Sequence, residues 1–336
     1  MNEEIITQPQ QTELTTGISS WRQALAAFLL NLDAKPLTKR QYDKALTLFF
    51  QWTEQQGIAL SAITKADVMA YRDMLLNPQG ERRLSPRTVG AYIVAVRRFY
   101  AWTESEKLYP NVASGVKSPS TKKKHFIKQH LTKEQCQDML EKLIDDINNK
   151  VHVRTFSNSR ENAQRDYALV NLILRTGLRT IEVSRLDVSD ITMKRGKRVI
   201  LVWGKGRDTK DDFVPLSDKA YAPLEEYLAT RGDVALDEPL FICEGYGSHG
   251  RRLSARRIQA ICKEAMRDIG LDEHAYSAHS LRHTCAVMLI NAGVDAYDVQ
   301  KYLRHSSIDT TEIYMESIEE ELRLGRAPEA ALDRVI

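Results

Sequence analysis

Apolar residues recur three and four positions apart in four successive early segments, roughly Trp21–Leu32, Thr38–Gln56, Thr64–Leu76 and Ser85–Glu106. A stripe of that period needs a packed partner face, so the pattern predicts a small domain of four helices. Ser85 before Pro86 has the form of an N-cap followed by proline at the first helical position, and Gly57 is placed to end the second helix. A polar leader, residues 1–19, comes first. From Ser114 to Lys128 the period is lost: Gly115, Pro119, several serines and Lys122-Lys123-Lys124 read as an exposed basic linker. The expected division is a leader (1–19), a helical domain (20–113), a linker (114–128), a second domain (129–316) and a C-terminal tail (317–336).

In the second domain a helix is expected after Leu131-Thr132, then a polar loop over Asn148–Asn162 and a helix from Arg165 to Arg175 that ends near Gly177. Alternating Val199, Leu201 and Trp203, followed by Phe213-Val214-Pro215 beyond a Gly-Lys-Gly-Arg turn, predict a β-hairpin. Helical spacing returns at about Ser254–Ile269, His279–Asn291, Ala296–Leu303 and Thr310–Met315. The fold class is therefore mainly α: a four-helix N-terminal domain and a mixed, mostly helical C-terminal domain with a small antiparallel β-sheet.

Composition narrows the classes. The chain has 336 residues, 43% hydrophobic and 28% charged, enough for two cores and typical of neither a disordered nor a membrane chain. The longest apolar run, Ala24–Leu30, is too short for a bilayer, and no signal-like stretch opens the chain, so a cytoplasmic protein is expected. Cys136, Cys243, Cys262 and Cys285 form no CxxC pair, which suggests neither a zinc site nor a disulfide framework. The net charge of +3 is uninformative, but its distribution is not. Residues 1–130 hold 18 Lys+Arg against 11 Asp+Glu, and Arg82 to Lys128 holds 11 against two. That excess makes a DNA-backbone surface plausible. Its candidate residues are Arg82, Arg83, Arg87, Arg97, Arg98, Lys122, Lys123 and Lys124, with Arg256 and Arg257 in the second domain. The interleaved Tyr92, Phe99, Tyr100 and Trp102 are better read as a core face.

Cleaving a phosphodiester without a metal requires a nucleophile, cations around the non-bridging oxygens and a proton donor for the departing oxygen. The chain offers such a set in order. Arg179 follows a glycine break, with Glu182 three residues on along the same helical face. Lys205 lies in Gly204-Lys205-Gly206-Arg207 at the hairpin tip, with Arg207 and Lys210 as neighbouring alternatives. His279 and Arg282 are one helical turn apart, and His305 and Tyr314 follow. Taken singly, each is more often structural or solvated than catalytic.

Together these residues resemble the tyrosine recombinase, or phage integrase, family, whose signature is Arg, Lys, His-x-x-Arg, His or Trp, and Tyr. The resemblance rests on TGLRTIEVSRL (176–186), VWGKGRDTKDDFVPL (202–216), HSLRHT (279–284), HSSIDTTEIY (305–314) and PLTKRQYDKALTLFFQWTEQQG (36–57). It covers nearly the whole chain after residue 20. It implies a core-binding, SAM-like N-terminal domain and a catalytic C-terminal domain that grip double-stranded DNA. Carried over, Tyr314 is the nucleophile, Arg179 and Arg282 hold the scissile phosphate, and Lys205 protonates the leaving oxygen. His279 and His305 assist at the phosphate or in proton transfer, and Glu182 orients Arg179 or a neighbouring histidine. A homotetramer on paired sites, exchange of the tail between protomers, accessory DNA-bending proteins, and independence of metal, ATP and cofactor are also implied. One departure stands out: Leu303-Arg304-His305 replaces the common Leu-Gly-His. A type IB topoisomerase or a DNA-binding protein without catalysis are the alternatives.

Overall fold

The computed structural model of the chain describes residues 20–78, 83–120, 129–149, 160–204, 209–243, 248–271 and 275–304. The chain divides into two compact units, Met1–Phe126 and Ile127–Ile336.

The first unit holds α1 (Trp21–Asn31), α2 (Pro36–Gln55), α3 (Lys65–Leu76) and α4 (Pro86–Ser105), within a residue or two of the expected bounds. Local chemistry sets the ends. The Ser20 hydroxyl accepts from the Gln23 amide, Ser85 from that of Thr88, and Thr64 and Asp67 form a reciprocal capping box. Gly57 stops α2 at a positive φ of 67°. The apolar stripes meet in an aromatic core in which Phe50 and Phe99 lie edge to face at 5.1 Å, and Phe49 and Tyr71 at 5.0 Å. Phe99 and Tyr100 are buried there, while Arg83, Arg87, Arg97 and Arg98 are exposed. Val116, which composition placed in the linker, also packs into this core.

The second unit holds α5 (Lys133–Asn149), α6 (Arg160–Thr176), α7 (Thr180–Val183), β1 (Ile191–Lys194), β2 (Lys197–Val202), β3 (Asp212–Pro215), α8 (Asp218–Thr230), α9 (Ala255–Arg267), α10 (Ala278–Asn291) and α11 (Ala296–Leu303). Helix α6 is the axis of this core: Ala168 to Leu174 are all buried, and α5, α8, α9 and α10 pack around it. The sheet is antiparallel in the order β1-β2-β3, with Ile191 opposite Ile200 and Ile200 opposite Val214.

The structure departs from the expectations in three places. α6 starts at Arg160, five residues before the expected Arg165, so α5 and α6 extend into the stretch read as a loop. Of the alternating Val199, Leu201 and Trp203, only Val199 is buried, and the core also takes in Ile200, Val202 and Val214, all fully buried. β1 and α8 were not foreseen. The expected helix Thr310–Met315 lies outside the described residues. Among the described residues, no helix is long and apolar enough to cross a membrane.

Candidate active site

The site forms where three chain breaks meet: the turn after α6, the first turns of α10, and the C-terminal end of α11. Gly177 makes the first turn at a positive φ of 61°. A Cβ there would overlap Leu303 Cδ2, so the position requires glycine for backbone conformation and for space. The turn delivers Arg179 to the N-terminus of α7. Glu182, in the first turn of that helix, accepts from the Arg179 backbone N–H at 2.7 Å and from its Nη1 at 2.8 Å. One carboxylate therefore caps the helix and aims the arginine.

Arg282 lies on α10 with 1% of its surface exposed. Its Nη1 donates to the Gly177 carbonyl and its Nη2 to the Leu303 carbonyl. Arg179 Nη2 donates to the Arg304 carbonyl at 3.3 Å. The last carbonyls of a helix have no partner within it and carry its negative dipole end. Here two guanidinium groups satisfy them, and this fixes the end of α11 against both arginines. Thr284, one turn beyond Ser280, donates to the Ser280 carbonyl and accepts from the Leu131 amide at 2.9 Å, which ties α10 to the start of the unit. His279 is exposed on the first turn of α10.

Arg304 terminates α11 in the left-handed conformation, φ 55° and ψ 47°. A non-glycine residue there costs about 1–2 kcal/mol. Its side chain turns inward to Glu182, with Nη2 at 2.8 Å from Oε2. Burial pushes the Glu182 carboxyl up, but the charge of Arg304 and the hydrogen bonds and charge of Arg179 outweigh it, leaving the group below the ordinary value of 4.5. It is therefore ionised at neutral pH.

Two nearby groups are unsuited to attack at neutral pH. Burial pushes the Cys285 thiol up to about 12. Burial likewise pushes the Tyr302 hydroxyl up to about 12, and that hydroxyl donates to the Arg175 carbonyl at 2.9 Å. Lys210, an alternative to Lys205, is held by Asp187 at 2.7 Å and Asp190 at 2.6 Å. Burial alone would lower its pKa, but these carboxylates raise it, so it is a tightly held cation. Arg252 joins the same cluster through Asp187.

The structure thus brings Arg179, Glu182 and Arg282 together. Arg256 and Arg257 are exposed on α9, with Arg257 3.1 Å from Glu264. Arg82, Lys122, Lys123, Lys124, Lys205, His305 and Tyr314 lie outside the described residues. The sequence reading noted Arg304 as a departure but missed its bond to Glu182. It also missed the α11 carbonyls, because backbone atoms leave no residue signature.

Comparison with known proteins agrees with this geometry. The phage integrase family model matches residues 125–321, and the model of the phage integrase N-terminal SAM-like domain matches residues 22–107. The tyrosine recombinase XerC of Escherichia coli O139:H28 is 27% identical over 306 residues, 90% of this chain and 92% of the relative. That of Corynebacterium glutamicum is 37% identical over 159 residues, so that match spans about half of each protein, 47% of this chain and 48% of the relative. Among solved structures, the XerH site-specific recombinase in a post-cleavage complex with its difH substrate superposes with a TM-score of 0.66 at 25% identity, covering 88% of this chain and 80% of that one. The Tn1549 transposon integrase bound to transposon right-end DNA shares the fold, with a TM-score of 0.60 at 18% identity over 91% of this chain and 99% of that one. Both family models and the assembled arginine pair lead to one conclusion: the chain belongs to the phage integrase family of site-specific tyrosine recombinases.

Proposed function

We propose that this recombinase cuts and rejoins double-stranded DNA through a covalent 3′-phosphotyrosine at Tyr314, with Arg179 and Arg282 as the phosphate cradle. The observation that carries the reading is the docking of the α11 end onto both arginines, because the chain leaves that end at Arg304, ten residues before Tyr314. The Tyr314 hydroxyl gives up its proton to the His279 or His305 imidazole as its oxygen attacks phosphorus, an O–P bond forms, and the bond to the 5′-oxygen breaks. Lys205 gives the departing oxygen its proton, and His279 and His305 take part in phosphate binding and proton transfer. Attack by an incoming 5′-hydroxyl reverses the step and reseals the strand.

Physical chemistry favours these roles. A tyrosine hydroxyl has a pKa of about 10 and needs cations to stabilise the charge that develops on attack. Guanidinium stays charged and matches phosphate oxygens in a fork, which suits arginine to both cradle positions. Arg179, with a third of its side chain exposed, meets the phosphate first, and Arg282 lies beneath it. Because phosphotyrosine conserves the bond energy, the reaction proceeds without metal or ATP. The working unit is a homotetramer on two synapsed sites, with the tail from 317 docking on a neighbouring protomer and DNA-bending proteins as accessory partners. The basic residues of the first unit and linker bind the DNA backbone. Incubation with nicked candidate-site DNA in EDTA, followed by a denaturing gel, tests the reading: a protein–DNA adduct is expected, and adduct formation that depends on added magnesium would contradict it.

A further inference from the structure

Arg304 stands where the family commonly carries glycine, in the left-handed backbone conformation that glycine adopts without strain. Something other than backbone preference must therefore account for the side chain, and its contacts show what it does. Its side chain is 8% exposed; Nη2 lies 2.8 Å from Glu182 Oε2, Nη1 donates to the Tyr302 carbonyl at 3.2 Å, and Nε is 3.9 Å from Asp212 Oδ2 without a hydrogen bond. Glu182 is consequently shared: the Arg179 guanidinium donates to Oε1, while Oε2 accepts from both the Arg179 backbone N–H and the Arg304 guanidinium.

The sharing matters because of sign. A carboxylate that aims Arg179 also cancels its charge, next to where the proposed chemistry builds negative charge on phosphate. In a poorly hydrated site that cancellation is weakly screened. With Arg304 present, the cluster of Arg179, Arg282, Arg304, Glu182 and the neighbouring Asp212 carries one net positive charge. With glycine it would carry none.

We propose that Arg304 is a positioning residue for strand cleavage, whose charge neutralises Glu182 so that Glu182 aims Arg179 without quenching it. The inference rests on the cradle reading above. With its side chain turned in at the α11 end, Arg304 acts through Glu182 and does not itself touch DNA.

The test is single-turnover adduct formation on saturating nicked DNA by the full chain, its Arg304→Met, Arg304→Gly and Arg304→Lys variants, and the Arg304→Met change in a Glu182→Gln background. Arg304→Met and Arg304→Gly are expected to slow adduct formation about tenfold or more, about 1.4 kcal/mol in barrier. Arg304→Lys, which keeps the charge, stays within about threefold of the parent, about 0.7 kcal/mol. Glu182→Gln removes the anion that Arg304 neutralises beside Arg179, so adding Arg304→Met costs less than about twofold, a coupling that a packing role would not produce. A parent-like rate for Arg304→Met, equal slowing in both backgrounds, or a lysine variant as slow as methionine would overturn the inference. Adduct formed by Tyr314→Phe would instead overturn the nucleophile assignment and leave these rate ratios readable.

Discussion

Gly177→Ala is expected to damage stability and chemistry together, because one backbone turn serves both. Two costs add. An alanine held at φ 61° costs about 1–2 kcal/mol. Its methyl would also overlap Leu303 Cδ2, with Cys285 Sγ at 3.5 Å and Arg282 Cγ at 3.7 Å on other sides, and Leu303 is fully buried. Overpacking of this kind costs about 1–3 kcal/mol. The total is about 2–5 kcal/mol of stability in the second unit. Relief by displacing Leu303 would shift the α11 end, whose carbonyl accepts from Arg282. A displacement of about 1 Å at a catalytic group lowers the rate about a hundredfold. Gly293→Ala is the control within the same unit: φ is 86°, but no atom lies within 4 Å of the added methyl, so only backbone strain remains. Hydrogen exchange of peptides from α6 and α10 measures the stability loss, and single-turnover adduct formation measures the chemistry. If Gly177→Ala matched Gly293→Ala in both, the proposed close approach of the turn and α11 would be refuted.

Two further outcomes are expected. Lys205→Ala should slow cleavage of ordinary DNA strongly and spare a 5′-bridging phosphorothiolate, whose sulfur leaves without a proton; equal losses on both substrates would remove Lys205 from the proton-donor role. Glu182, with its folded pKa below its ordinary value of 4.5, contributes stability that is fully present above that value and is lost as pH falls through the lowered one. The stability difference between the parent and Glu182→Gln should therefore be constant well above pH 4.5 and shrink below it; a difference that grows on acidification in urea melts would reverse the sign.

How much was legible follows from where the information resides. The helices of the first unit could be read because period, caps and Gly57 are all local. The partnership of Arg179 and Glu182 could be read because three residues on a helix is a contact distance. β1 escaped because Ile191-Thr192-Met193-Lys194 alternates over only four residues, too short a run to stand out, and none of them is buried. α8 escaped because Pro223 sits inside it, a residue that normally ends a helix. Which residues of β2 meet the core was not legible because Val199 to Val202 are all apolar, and only packing selects Val199, Ile200 and Val202 over Leu201. The contact between Arg304 and Glu182 spans 122 residues, and it depends on a positive φ that sequence would assign to glycine.

The central claim is that Tyr314 forms a covalent bond to DNA, and mapping the bond tests it most directly. Cleavage at Arg304 and Arg323 would release His305–Arg323, a peptide with Tyr314 as its one tyrosine. The adduct trapped on nicked DNA is digested with trypsin and nuclease, and the modified residue is located by mass spectrometry while the freed DNA end is tested for phosphorylation by kinase. The account predicts a 3′-phosphate on Tyr314, a free 5′-hydroxyl and no adduct from Tyr314→Phe. A 5′-linked phosphate, a different modified residue or an adduct from the phenylalanine variant would contradict it.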